Sequence, residues 1–335
     1  MPYLKPTVQS VHFPSFKSSL PKMEGKTVVI TGTTSGTGSI AAKVVAELGA
    51  KVLLLNRSSI RSQNAYENLK SQLPNAEIHS VDCDLQSFDS VRSAAQTVKE
   101  LCPEGVHVLS NNAGVMALED VATVDGYDVQ MQTNHLSHFL LTAELMSLLE
   151  KAADDSGDAR IVNHSSVARF GKKLEAKYLE KNGGNLGGNG ASMFFGGGRW
   201  TRYQQTKLAN AAFTAALHQK LQAAHSKVKA LVAHPGLANT NLQVTSIREG
   251  GMGNNLFTKM FMKLSQSEED GAMGLISCMC LHEAQSGQFY GPGKGMMALK
   301  GQAEPFALEP LYDNEETRNM LWEKSNEAVG LRFDM

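Results

Sequence analysis

Residues 27–48 place an apolar run, a glycine-rich turn and an amphipathic stretch in direct succession. Thr27-Val-Val-Ile-Thr31 is apolar without alternation, the pattern of a strand buried on both faces. Gly32, Gly36 and Gly38 follow it, and then Ile40, Val44, Val45 and Leu48 recur at helical spacing up to Gly49. A strand that turns through glycines into a helix needs a parallel neighbour and a cover on both faces. Few folds offer that.

The rest of the chain repeats the alternation. The apolar runs 52–55, 78–81, 106–109, 160–163 and 228–233 read as strands. The stretches 62–73, 88–101, 125–151 and 201–223 read as helices. The expected class is α/β, one doubly wound parallel sheet of Rossmann type with helices on both faces. The expected organisation is an arm over 1–24 and a single catalytic domain over 25–335. Within that domain lie a glycine-rich insert at 171–200 and a substrate-pocket region at 241–270. The composition of 182–198, NGGNLGGNGASMFFGGG, reads as a mobile loop.

Composition removes several function classes. Lys and Arg total 32 against 33 Asp and Glu, a formal charge of −1, so no basic surplus exists to hold nucleic acid. Cys83, Cys102, Cys278 and Cys280 form no C-x-x-C pair, which argues against a disulfide framework and structural zinc. No run reaches the ~18 apolar residues of a membrane span. A cytoplasmic location is expected. The N-terminus has Lys5, Lys17 and Lys22 and no acid before Glu24, which leaves import into an organelle open.

The glycine turn carries the first chemical expectation. Backbone N–H groups at a helix start face an anion, and glycines let a pyrophosphate come close. The same glycine spacing recurs at Gly184, Gly188 and Gly190, but no strand precedes it. Gly32, Thr34, Ser35, Gly36, Thr37 and Gly38 are therefore the expected dinucleotide cradle. The second strand runs into Asn56-Arg57 where a carboxylate would select NAD. A guanidinium suits a 2′-phosphate, so NADP(H) is expected over NAD(H).

Tyr-x-x-x-Lys occurs three times, at Tyr66/Lys70, Tyr203/Lys207 and Tyr290/Lys294. Only Tyr203 and Lys207 lie on a helix that follows a central strand, where ligands bind in open α/β sheets. A lysine cation beside a phenol favours phenolate and makes tyrosine a usable proton donor.

Taken together and in order, these residues resemble the short-chain dehydrogenase/reductase family from about Gly25 to Gly295. The matching motifs are Thr31-Gly32…Gly36-Thr37-Gly38, Cys83-Asp84-Leu85, Asn111-Asn112-Ala113-Gly114, Asn134, Ser165-Ser166, Tyr203…Lys207 and His234-Pro235-Gly236…Thr240. The resemblance implies an oxidoreductase acting on a carbonyl or alcohol. It implies Asp84 and Leu85 near the adenine and Asn111, Asn112, Ala113 and Gly114 along the cofactor groove. Ser166 would bond the substrate carbonyl, Tyr203 would exchange the proton, and Lys207 would hold the ribose. Asn134 would hold a relay water, and Pro235, Gly236, Leu237 and Thr240 would flank the nicotinamide. Asn134-His-Leu-Ser-His-Phe-Leu-Leu-Thr142, Ser165-Ser-Val-Ala168 and Leu321-Trp322-Glu323…Val329-Gly-Leu331 look like retinol-dehydrogenase-like members, which implies an apolar substrate of retinoid, steroid or aldehyde kind. Protochlorophyllide reductase is a relative of similar layout; Cys83 and Cys102 both fall in the cofactor half. A non-catalytic cofactor-binding protein on the same fold is the alternative.

Two departures stand out: Thr37 where an aliphatic residue is common, and 36 residues (167–202) between Ser166 and Tyr203. His135 and His138 read as helix packing, and no metal is expected. His164 is expected to face away from the cleft. Met193, Phe194, Phe195 and Trp200 could form a lid over an apolar substrate. The segment 256–264 could line the pocket or touch a membrane surface, and a homo-oligomer is open.

Overall fold

The computed structural model describes residues 7–190, 196–239, 246, 250–251, 265–293 and 299–335. Thr240, Met193, Phe194, Phe195, Lys294 and the segment 256–264 lie outside the described residues.

Eight strands form one sheet: β1 (Thr27–Thr31), β2 (Lys51–Asn56), β3 (Ile78–Asp82), β4 (Val108–Asn111), β5 (Ala159–His164), β6 (Val228–Ala233), β7 (Gln288–Pro292) and β8 (Ala303–Ala307). Their order is β3-β2-β1-β4-β5-β6-β7-β8. Strands β1 to β7 are parallel, and β8 returns antiparallel to β7. The doubly wound reading therefore holds. The strand order reverses between β1 and β4, which opens a crevice at their carboxyl ends.

Among the described residues the α-helices are α1 (Phe13–Ser18), α2 (Gly36–Glu47), α3 (Ile60–Gln72), α4 (Phe88–Leu101), the single turn α5 (Val129–Met131), α6 (Ser137–Ser156), α7 (Gly198–Ala223), α8 (Glu268–Cys280) and α9 (Glu315–Val329). Alternation along β1 sends Val29 into one core layer with α4, α6 and α7. Val28 and Ile30 enter the other with α2 and α8. None of the described helices is long and apolar enough to cross a membrane.

The expected helix over 125–151 begins later and is interrupted. The Asp128 carboxylate accepts the N–H groups of Gln130 and Met131 and so starts the turn at Val129. A π-helical turn, Gln132–Leu136, then sets Asn134 apart from the regular α6.

The N-terminal arm is tied down from residue 10 onward. The Asp270 carboxylate accepts N–H groups from Val11 (2.9 Å), His12 (3.0 Å) and Phe13 (2.9 Å). Phe13 and Met23 are buried against the α2–α8 layer.

The glycine-rich insert is also bound down where it is described, contrary to the mobile loop its composition suggests. Glycines bring backbone carbonyls close enough for two buried arginines to take. Arg202 donates to Gly188 O (2.9 Å) and Arg199 to Asn189 O (2.9 Å). Asp120 accepts from Gly187 N (2.9 Å). Earlier in the insert, Leu174, Tyr178 and Leu179 join the main core.

Candidate active site

A cleft of about 840 Å³ runs along the carboxyl ends of β1 to β6. Its outer end starts at the glycine turn. Ser35 precedes α2 but makes no side-chain cap bond, and the first turn of α2 holds no acid. The first N–H groups of the helix are thus left to whatever lies in the cleft. Gly32 and Gly36 have positive φ (72° and 65°). A side chain on Gly32 would strike Ala113 at 2.7 Å, and one on Gly38 would strike Asn112 Nδ2 at 2.2 Å. The cradle is therefore closed from behind by Asn112-Ala113. Thr37 serves there as well, its hydroxyl donating to Asn112 Oδ1 (3.2 Å).

Arg57 and Arg61 stand at the far end of the same cleft, with Ser35 and Ser59. Arg61 Nη2 donates to Ser35 Oγ (2.5 Å), which ties the first turn of α3 to the glycine turn. Sequence reasoning missed Arg61; its signal was a second cation four residues after Arg57, placed in the first turn of α3 while Arg57 lies in the loop before it. Asn56 lines the cleft, but its amide is engaged. Its Oδ1 accepts from Thr33 N (2.8 Å) and its Nδ2 donates to Thr33 Oγ1 (2.8 Å). Its job is to brace the glycine turn. Asp84 and Leu85 line the cleft together with Cys83, whose thiol burial pushes up to about 12.

The inner end gathers the expected catalytic residues. Ser166 follows β5, and Tyr203 and Lys207 sit one turn apart on α7; all three line the cleft. Burial raises the Tyr203 phenol to about 12, with the Ser166 hydroxyl pulling the other way. Burial lowers the Lys207 amine to about 8. Lys207 Nζ donates to His164 O (3.0 Å) and lies 5.8 Å from the Tyr203 ring centre. Ser166 Oγ accepts from Ala168 N (3.1 Å), so its hydroxyl proton remains available to donate.

Asn134 stands behind the cleft wall. Its Oδ1 accepts from Val115 N (2.7 Å), and its Nδ2 donates to Val115 O and Thr206 Oγ1 (both 2.9 Å). It is close to Lys207: a side chain on Gly114 would meet Asn134 Oδ1 at 3.2 Å and Lys207 Nζ at 3.4 Å. Asn111 points away from the cleft, donating to Thr142 Oγ1 (3.0 Å) and Asn163 Oδ1 (2.9 Å). Along the strand end, Asn112 takes the groove and Asn111 the interior.

His164 lines the cleft, not its back. It is the last residue of β5, and its Nδ1 meets Asn112 Oδ1 at 2.8 Å. His135 and His138 are core residues: His135 Nε2 contacts Ser325 Oγ (3.0 Å) and His138 Nε2 contacts Thr31 Oγ1 (2.9 Å).

Pro235, Gly236 and Leu237 also line the cleft, with Met116, Leu118, Phe170, Trp200 and Leu299 completing an apolar mouth. Trp200 belongs to the wall: it is buried, meets Tyr203 edge-on at 5.8 Å and donates to Gly251 O (2.9 Å). Tyr66 and Tyr290, the two competing tyrosines, do not line this cleft. Tyr290 lies inside β7 instead.

Residues 26–178 match the family described as short chain dehydrogenase. Retinol dehydrogenase 13 of Homo sapiens is 31% identical over 317 residues, covering 94% of this chain and 87% of that protein. Short-chain dehydrogenase TIC 32 A, chloroplastic, of Brassica napus is 34% identical over 257 residues, 73% of each chain. Among solved structures, an uncharacterized protein from Mycobacterium Paratuberculosis superposes with a TM-score of 0.73 at 28% identity, covering 98% of this chain and all of that one.

Proposed function

This chain belongs to the short-chain dehydrogenase family of oxidoreductases, and from that premise we propose an NADP(H)-dependent enzyme that interconverts a carbonyl and an alcohol on an apolar substrate. The observation that carries the reading is one continuous cleft, with arginines and an uncapped helix start at one end and Ser166, Tyr203 and Lys207 at the other.

The residues fit a nicotinamide dinucleotide. The glycine cradle and the free N–H groups of α2 suit its pyrophosphate. Arg57 and Arg61 suit a 2′-phosphate. When bound in reduced form, such a cofactor supplies the hydride. The chain's own part is proton handling. Ser166 keeps its proton and donates a hydrogen bond from its hydroxyl to the substrate oxygen. Tyr203, kept protonated by burial, releases its proton to the developing alkoxide. The Lys207 cation stabilises the phenolate left behind. Met116, Phe170 and Trp200 exclude water and favour an apolar substrate.

Consumption of NADPH with nonanal, retinal and a polar sugar aldehyde tests this. The expected order favours the two apolar aldehydes. Tight NADPH binding with no turnover on any of them would make the protein a cofactor-binding module.

Arg57→Ala should cut the NADPH-over-NADH preference in kcat/KM by roughly 10–150-fold, the equivalent of a charge-assisted bond of about 1.5–3 kcal/mol. Arg61→Ala should act in the same direction. An unchanged ratio in both variants would remove the 2′-phosphate assignment.

The pH dependence follows from Lys207. Its amine carries a proton below about 8 and loses it above. Reduction, read as kcat/KM for NADPH, should therefore be full at lower pH and fall as pH rises through about 8. A profile flat to the Tyr203 range would exclude Lys207 from the proton chemistry.

A further inference from the structure

Arg169 ends the short turn Val167–Arg169 that follows Ser166, and it is only 2% exposed. A guanidinium cannot shed its charge, so burying one is unfavourable unless an anion pairs with it and hydrogen bonds replace its lost water. Here Nε and Nη2 form a fork onto Glu309 Oε2 and Oε1, both at 3.1 Å. The Phe170 and Phe289 rings cover the guanidinium at 4.1 and 4.3 Å.

The remaining bond gives the arrangement its meaning. Arg169 Nη1 donates to the backbone carbonyl of Ser166 at 3.1 Å. The same oxygen accepts the backbone N–H of Arg169, also at 3.1 Å. Ser166 Oγ is meanwhile oriented by Ala168 N. The main chain of Ser166 is thus held from a second direction by a side chain that is itself gripped by a residue beyond β8.

We propose that Arg169, clamped by Glu309, is a positioning residue that fixes the backbone of Ser166 so that its hydroxyl stays aimed at the Tyr203 oxygen and the substrate carbonyl. It acts only through Ser166, and it rests on the reading of Ser166 as a catalytic hydroxyl. Lysine at 169 keeps the charge but cannot make the fork and the third bond together.

A double-mutant cycle with NADPH and nonanal separates this role from plain stabilisation. Arg169→Lys should lower kcat on the order of 10–100-fold, the scale of a small misplacement of a reacting group. KM for NADPH should not change. In a Ser166→Ala background the same substitution should cost less than about threefold. An equal loss in both backgrounds would reduce Arg169 to a structural residue. Should Arg169→Lys fail to fold, Glu309→Gln carries the same cycle, with a smaller loss and the same non-additivity expected. Ser166→Ala retaining near-wild-type kcat would instead overturn the reading of Ser166, a result distinct from failure of the clamp. A readout without turnover is the ionisation of Tyr203 in the NADP⁺ complex, followed by ultraviolet difference absorbance against Tyr203→Phe. Arg169→Lys should raise that pKa as the serine hydroxyl drifts from the phenolate, and an unmoved pKa would overturn the proposal.

Discussion

Tyr203→Phe is expected to lower NADPH-dependent turnover 10²–10⁴-fold, the range lost with a positioned acid–base group. NADPH binding should stay within about threefold, because the phenyl ring keeps its place beside Trp200 and the substitution removes only the hydroxyl. Stability should rise slightly or stay level, since the buried phenol has given up water for few partners. Tyr66→Phe and Tyr290→Phe are the controls. Neither residue lines the cleft, so both variants should keep wild-type kcat. Retention of more than about a tenth of the rate by Tyr203→Phe would remove the proton-donor assignment.

Gly38→Val is the second large effect, and it strikes the opposite end. The new side chain would meet Asn112 Nδ2 at 2.2 Å and Gly32 O at 2.4 Å. Asn112 cannot step aside freely. Its amide donates to Thr31 O (2.8 Å) and Gly32 O (3.1 Å), while its Oδ1 takes the Thr37 hydroxyl. Overpacking and the orphaned amide together cost about 2–6 kcal/mol. Falling on the cradle, that is roughly 30- to 10⁴-fold in NADPH affinity, measurable by fluorescence titration. Wild-type affinity in Gly38→Val would mean that the cradle is not where the dinucleotide sits.

Six of the eight strands were legible because β1 and β2 carry continuous apolar runs, β6 has one broken only by Lys229, and β3, β4 and β5 lie between clear helical stretches. The last two were not. β7 contains Gly291-Pro292, and β8 carries Pro305 on the sheet edge, where its missing N–H does no harm. Helix α8 hid for another reason: Gly271 and Gly274 and several small residues bury it on nearly all sides, so no polar face marks its period. At the site, the glycine cradle and the Tyr203–Lys207 pair were legible because their chemistry dictates residue type at fixed spacing. Asn111, His164 and Arg169 were not. The first two depend on where a strand stops alternating. The third depends on Glu309, which is 140 positions away in sequence.

That separation has a consequence for the order in which the protein is made. The cradle behind Gly32 is built by strands from the first third of the chain, which leave the ribosome early. The grip on Ser166 waits for Glu309, and the N-terminal segment waits for Asp270, 257 residues after Phe13. Contacts so distant in sequence close late, after the local strand–helix units have formed. A nascent or clipped chain ending before Glu309 would carry Ser166, Tyr203 and Lys207 and still lack the clamp that aims the serine. On the proposed roles of Ser166 and Arg169, synthesis thus withholds the finished site until the chain has passed β8 and delivered Glu309.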